Sequence, residues 1–257
     1  MTSLRLLILI PAYNEAASIG GVVRSIYRTL PGTPALVVDD HSSDGTSCAA
    51  SAAGAQVIRL RRHAGLAGCL HAGYRFAFEN GFDYVVRVDG DGQHEPADIP
   101  HLVRALQETG ADIVVGSRFL GAGRWRSSAT RRAGIAILRL LTSQALGRTI
   151  HDPTSGFIGV NQRTIELFSA SEPPPYPEVG ALIALNRNRC SIHEIPCRMY
   201  PRTTGRSSMT ALNSMRYAGG VLEALLTRKL PRKEVLIAPF HAEIPEIRSR
   251  SEGSPGD

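Results

Sequence analysis

A single α/β domain on a largely parallel sheet is the fold class this sequence predicts. Two observations carry it: short aliphatic runs alternate with stretches of helical periodicity, and polar clusters fall where those runs end. The first run, Arg5–Ile10, is nearly all Leu and Ile and stops at Pro11, so it reads as a buried first strand. Ala35–Val38, Gln56–Leu60, Tyr84–Val88 and Ile113–Val115 repeat the pattern, with predicted helices over 15–30, 44–53, 66–80 and 97–109 between them. Strands joined by helices in this way form crossover units and a parallel sheet. Past residue 120 a helix is predicted over Thr130–Leu146, then a strand over Gly156–Val160 and a helix over Gln162–Phe168. The breaker Glu172-Pro173-Pro174-Pro175-Tyr176-Pro177 separates these from a helix over 178–187 and a strand over 191–197. Residues 1–236 are predicted to be one domain, and 237–257, which lack apolar periodicity, a disordered tail.

Composition narrows the function classes. The chain has 257 residues, 43% hydrophobic and 20% charged, enough for one such domain with a substantial core. Its net charge of +6 favours anionic partners. Lys229 and Lys233 are the only lysines, so arginine, the better bidentate phosphate ligand, supplies nearly all the positive charge; gene composition is the plainer source of that bias. Dispersed basic residues and 6% aromatics argue against nucleic acid as a partner. Cys48, Cys69, Cys190 and Cys197 have neither the close spacing of a zinc site nor the density of a disulfide framework, which points to a reducing compartment. No apolar run reaches the roughly 20 residues of a membrane-spanning helix, so a cytoplasmic location is expected, with any membrane contact peripheral and on the inner face.

The chemistry is expected at the carboxyl edge of the sheet, where strands run out into loops. Pro11-Ala12-Tyr13-Asn14-Glu15 follows the first strand, Asp39 to Gly45 the second, and Asp89-Gly90-Asp91-Gly92-Gln93-His94 the fourth. Two carboxylates one residue apart beyond a buried strand suit a hard divalent cation such as Mg²⁺ or Mn²⁺ that also grips phosphate, with Gly90 allowing a tight turn between them. Asp39 and Asp40 are placed to accept hydrogen bonds from a nucleoside, being acceptor-only groups when ionised. Asp44, ahead of Gly45 and Thr46, is expected to cap the second helix. Arg118, in Gly116-Ser117-Arg118 after the fifth strand, is the expected phosphate fork, whereas Arg124 and Arg126 read as surface charges. Gly65-Leu66-Ala67-Gly68 lacks the lysine and spacing of a nucleotide cradle and reads as a loop ahead of a helix. His63, His71, His101, His193 and His241 are scattered and read as structural or surface residues; His151 adjoins the polar turn Asp152-Pro153-Thr154-Ser155-Gly156.

Taken in order, these segments resemble family 2 glycosyltransferases of the GT-A fold, and most closely the polyprenyl-phosphate, dolichyl-phosphate mannose synthase-like branch. The resemblance runs from Leu6 to about Leu226 and rests on Ile10 to Glu15, Val38 to Thr46, Asp89 to Gln93, Gly116 to Arg118, Asp152 to Phe157 and Arg202 to Ser207. It implies a Rossmann-like, mostly parallel sheet flanked by helices, a nucleotide-sugar half over 1–120 and an acceptor half over 121–236. It also implies that Pro11, Tyr13, Glu15 and Asp39 hold the nucleoside, while Asp89, Asp91 and Gln93 hold the nucleotide and its metal. Arg118, Arg131 and Arg202 would meet donor or acceptor phosphates. Two departures bear on the acceptor: Ser208 stands where the branch often has a lysine, and the C-terminal transmembrane helices of some members are missing.

The expected reaction is inverting transfer of a sugar from a nucleoside-diphosphate sugar, with Asp91 at its centre, to a polyprenyl phosphate or a cell-envelope glycan precursor. A lipid phosphate, with a second pKa of about 6, needs no strong base. A sugar hydroxyl does, and Asp152 and Glu178 are then the candidates. The segment Thr210–Leu226, with Arg228 to Lys233 behind it, reads equally as an interfacial helix or as one packed on the core. A nucleotidyltransferase would show a glycine-rich basic loop after the first strand, which Ala12 to Glu15 is not. A non-catalytic nucleotide-sugar-binding or scaffold subunit of a glycan-assembly complex is the rival from another class.

Overall fold

The computed structural model describes residues 4–121, 129–170, 176–200 and 219–221. Seven strands, β1 (Leu6–Ala12), β2 (Ala35–Asp39), β3 (Gln56–Arg59), β4 (Tyr84–Arg87), β5 (Ile113–Ser117), β6 (Ile158–Asn161) and β7 (Ile192–Pro196), form one sheet in the order β3-β2-β1-β4-β6-β5-β7. Seven helices connect and flank them: α1 (Ile19–Thr29), α2 (Thr46–Ala52), α3 (Gly65–Glu79), α4 (Ile99–Thr109), α5 (Ala129–Leu146), α6 (Gln162–Ala170) and α7 (Pro177–Arg187). A 3-10 turn, Pro96–Asp98, leads into α4.

Both faces of the sheet are covered, which is why β1, β2 and β5 are mostly aliphatic and buried, while the edge strands β3 and β7 carry polar residues. In β1, Leu7 and Leu9 point into one core with α3, α6 and α7, while Ile8 and Ile10 point into the other with α1, α2 and α4. The helix α3 lies so close to β1 that a Cβ at Gly73 would fall inside the Leu9 side chain.

Every predicted element within the described residues is present, and the differences are instructive. The first helix begins at Ile19 instead of residue 15, because Glu15 to Ser18 form a turn in which the Ser18 N–H donates to the Glu15 carbonyl at 3.0 Å. Gly65, with φ of +72°, opens α3 and Gly68 lies inside it, so the expected loop is the first turn of the helix. Gly45 takes the cap of α2, although Asp44 still accepts the Thr46 N–H at 3.0 Å. The strand β6 runs antiparallel to both of its neighbours, β4 and β5. Its short apolar run, Ile158-Gly159-Val160, reads the same in either direction.

The chain winds from β1 to β2 and β3 on one side and places β4 on the other, with β1 parallel to both β2 and β4. The crevice beyond their carboxyl ends is the topological switch point, the default ligand position of an open α/β sheet. The tail from 237, Arg202 and nearly all of the Thr210–Leu226 segment lie outside the described residues. Val221, one of three described residues there, is buried against Leu138, Val179 and Ile183.

Candidate active site

The loops after β1 and β2 knit to each other before any ligand is considered. The Asn14 and Glu15 N–H groups donate to the Ser42 and Thr46 hydroxyls, both at 2.9 Å, and Ser43 N–H returns to the Asn14 side chain at 2.9 Å. Asn14 holds this position in the left-handed region, at φ of 54°, which asparagine tolerates better than most residues. Asp39 is buried, with one oxygen accepting the Ser42 N–H at 3.0 Å and the other in contact with the Ser47 hydroxyl. Asp40 accepts the Ala64 N–H at 2.7 Å and meets His63 Nδ1 at 2.8 Å. The His63 ring in turn leans on the exposed Tyr13, with centroids 4.4 Å apart. His63 therefore belongs to this cluster, although from the sequence it reads as scattered.

The Asp89-Gly90-Asp91 turn lies across the crevice. Its left-handed residue is Gly92, at φ of 76°, while Gly90 is buried beside the Pro11 carbonyl and Ile19. The Ser18 hydroxyl lies 2.8 Å from the Gly90 carbonyl and 2.9 Å from Glu15 Oε2, so Glu15 braces the turn through Ser18. Asp91 is buried, and its Oδ1 accepts the Gln93 N–H at 3.0 Å. The Gln93 side-chain amide donates to the Tyr200 carbonyl at 3.1 Å, which leaves its oxygen as the atom able to bind a cation. Asp89 faces Arg87, whose Nη2 and Nε lie 3.1 and 3.3 Å from Oδ1. The Asp89 N–H donates to His94 Nδ1 at 3.1 Å, which places the proton of the neutral ring on Nε2.

Electrostatics follow from these contacts. Burial pushes the Asp89 carboxyl up, but Arg87, His94 and Arg118 outweigh it and hold the group below the usual carboxylate range. Burial keeps the His94 imidazole below its usual value against the pull of Asp89 and Asp91. Asp89 and Asp91 with the Gln93 amide make a hard oxygen donor set, which fits Mg²⁺ or Mn²⁺. Among the described residues no cluster of three His, Cys, Asp or Glu side chains stands ready to cage a metal. A cation here would share its sphere with substrate oxygens and water, the usual situation for Mg²⁺.

The far wall is built from ion pairs. Arg118 grips Asp152 through Nε at 2.6 Å and Nη2 at 2.5 Å, and Nη2 also donates to Thr154 Oγ1 at 2.6 Å. Asp152 is fully buried (0% exposed). Its N–H and that of His151 donate to the Glu194 carboxylate at 2.9 and 2.8 Å, fixing the polar turn to β7. Glu178, in the first turn of α7, pairs with Arg87 at 3.3 Å. Arg131 lies in α5, and Arg202 is outside the described residues. Tyr200, two residues before Arg202, is tied to the site: its N–H donates to the Gln93 carbonyl at 2.8 Å.

Sequence reasoning missed Arg87, Ser18, Thr154 and Glu194. Arg87 had a signal, since it is the one charge in the run Val85-Val86-Arg87-Val88, and a charge in a strand buried on both faces demands partners. Ser18 and Glu194 had none, because their partners lie 72 and at least 42 residues away.

Comparison with known proteins places this site in context. A family model described as Glycosyl transferase family 2 matches residues 7–168. Undecaprenyl-phosphate mannosyltransferase of Micrococcus luteus is 32% identical over 216 residues, 80% of this chain and 88% of that one. Polyprenol monophosphomannose synthase of Mycolicibacterium smegmatis is 30% identical over 219 residues, 81% of this chain and 82% of its own. Among solved structures, glucosyl-3-phosphoglycerate synthase from Mycobacterium tuberculosis, in complex with Mn²⁺, UDP and glucosyl-3-phosphoglycerate, superposes with a TM-score of 0.65. That match has 22% identity and covers 90% of this chain and 82% of the other; it shows the shared GT-A fold.

Proposed function

The chain belongs to glycosyl transferase family 2, and from that premise we propose that it moves a sugar, with inversion, from a nucleoside-diphosphate sugar to a polyprenyl phosphate at a membrane surface. The observation that carries the reading is the Asp89-Gly90-Asp91 turn held at the switch point, braced by Glu15 and Ser18 from the β1 loop and by Gln93 and Tyr200 on its other side. Pro11, Tyr13, Glu15, Asp39 and Asp40 form the nucleoside side of the site. Asp39 and Asp40 shape the loops through Ser42 and Ala64, and Tyr13 offers an exposed ring for a base. Asp89, Asp91 and Gln93 would hold Mg²⁺ or Mn²⁺, which supplies charge neutralisation for the departing diphosphate. The Mn²⁺ and UDP of the structural neighbour support this part of the reading.

The acceptor follows from the pairing of the two candidate bases. Asp152 has both oxygens on Arg118, and Glu178 is bound to Arg87. Both carboxylates are thus engaged by arginine, which favours an acceptor that is already ionised and needs no base, and a phosphate monoester is one. Asp152 then orients Arg118 instead of taking a proton, and Arg118 is the described residue we assign to phosphate, the assignment of Arg131 and Arg202 resting on the family resemblance. The names of the two mannosyl-transferring relatives support a polyprenyl phosphate acceptor.

Membrane contact would be peripheral. No helix among the described residues is long and apolar enough to cross a membrane. The helix α5 nevertheless exposes Ile137 (53%) and Leu140 (59%), with Arg132 and Arg139 also exposed and no acidic residue along its length. An apolar and cationic face of this kind suits an anionic lipid surface.

The test is calorimetric titration with UDP- and GDP-linked sugars, in Mn²⁺ and in chelator, followed by transfer of labelled sugar to undecaprenyl phosphate in anionic vesicles. Metal-dependent binding of one donor and labelled lipid are the expected results. Aspartate to asparagine at Asp91 is expected to abolish transfer while the fold persists. Folded wild-type protein that binds no nucleotide sugar would return the scaffold-subunit reading.

A further inference from the structure

Arg87 is 3% exposed and sits on an otherwise aliphatic strand, so its charge is stabilised only by what it touches. It touches two carboxylates from opposite halves of the chain. Its Nη2 lies 3.1 Å from Asp89 Oδ1 and 3.3 Å from Glu178 Oε1, the latter 91 residues away on α7. Buried Tyr74, whose hydroxyl has no hydrogen-bond partner, stands near enough to act on the same guanidinium. Asp89 is confined on a further side by Gly156: a Cβ there would lie 2.5 Å from Asp89 Oδ2 and 2.9 Å from Arg87 Nη2. The glycine is the residue that lets the Arg87 and Asp89 pair lie against the loop entering β6. The helix α7 that carries Glu178 packs its Val179 and Ile183 on Leu138 of α5 and its Leu182 and Leu185 on the main core.

We propose that Arg87 is a positioning residue of the transfer site: it aims the Asp89 carboxylate and registers the donor half against α7, with Glu178 as its ion-pair partner and not a base. The reasoning is geometric. A carboxylate next to a second aspartate and a diphosphate would be driven outward by repulsion. A cation held beneath it by Glu178 opposes that displacement without reaching the substrate itself. Such placement matters because misplacement of a catalytic group by about 1 Å can cost on the order of 100-fold in rate.

This inference rests on the transferase reading, so its test has an arm that does not need turnover. Four variants are compared with wild type: R87M, R87K, E178Q and the double variant R87M/E178M. For each, the melting temperature, the calorimetric binding of the preferred nucleotide with Mn²⁺, and kcat and KM for transfer are measured. R87M takes the guanidinium away from both Asp89 and the partly buried Glu178 and is expected to melt early, to bind nucleotide more weakly and to lose on the order of 100-fold in kcat/KM. R87K keeps the charge without the fork and is expected to fall between wild type and R87M. The double variant removes the carboxylate from α7 but still leaves Asp89 without Arg87, and is expected to recover much of the melting temperature lost in R87M while staying deficient in nucleotide binding and turnover. Recovery of binding and turnover together with stability in the double variant would overturn the proposal, since Arg87 would then only neutralise Glu178. A loss of turnover in E178Q larger than that in R87M, with nucleotide binding intact, would also overturn it by making Glu178 the base. If the wild type transfers nothing, the transferase reading fails, and the nucleotide-binding arm still decides whether Arg87 positions Asp89.

Discussion

The two walls of the crevice are held by different forces. The wall formed by the β1 and β2 loops is knit by hydrogen bonds from backbone N–H groups to the side chains of Asn14, Ser42 and Thr46, each spanning at most 31 residues, with the Asp39 and Asp40 carboxylates accepting further N–H groups. The opposite wall is held by ion pairs: Arg118, just after β5, with buried Asp152, and buried Arg87 of β4 with Glu178 of α7. A neutral hydrogen bond costs little when lost, whereas half of a buried ion pair left alone is expensive. The hydrogen-bonded wall is therefore expected to be the more tolerant of substitution, and the ion-paired wall the more brittle.

The strongest test of that contrast is Asp152→Ala. Removing one partner of a buried pair costs about 3–5 kcal/mol, so thermal or urea unfolding should show a large loss of stability. Restoration in the paired variant R118M/D152M would show that the cost came from the orphaned guanidinium. On the tolerant wall, Ser42→Ala removes the acceptor of the Asn14 N–H and is expected to cost about 1 kcal/mol, with the rest of the loop in place by amide exchange. Equal losses for the two substitutions would erase the contrast.

A third test uses pH, at the amino end of the same brittle region. Burial pushes the Asp112 carboxyl up, but the N–H and hydroxyl of Ser191, the Asn161 amide and Arg163 outweigh it and leave it below its ordinary value of 3.8. A carboxyl depressed in the folded state contributes stability that is complete above its unfolded value and fades as pH falls through the folded one. Melting curves from about pH 6 to about pH 3 should thus fall less steeply in Asp112→Asn than in wild type. An unchanged acid limb would show that Asp112 is not ionised differently in the two states. The smallest effect is expected at the exposed pair Arg75 and Glu79 on α3, 2.8 Å apart at i,i+4. Its removal should cost no more than about 0.5 kcal/mol, which calibrates the others.

Much of this was legible because it is local. Leu7 to Ile10 announce a strand buried on both faces, and the Asp89-Gly90-Asp91 cluster announces a polar loop at the carboxyl edge of the sheet because it follows such a strand. Of the two glycines in that loop it is Gly92, not Gly90, that takes the left-handed conformation. Asp152 and Glu178 read as bases because an isolated carboxylate in a polar turn or at a helix start looks available. Nothing adjacent in the chain names Arg118 or Arg87 as the partner.

The sequence by itself determined the strand and helix order, the parallel half of the sheet and the carboxyl-edge loops that carry polar chemistry. Periodicity and strand-end position are properties of neighbouring residues, so they survive in one dimension. Tertiary structure alone decided the antiparallel insertion of β6, the bracing of the aspartate turn by Glu15 and Ser18, and the pairing of each buried arginine with a carboxylate 34 or 91 residues away. A buried charge states that it must have a partner, but only the folded chain, by bringing distant loops within about 3 Å, states which one.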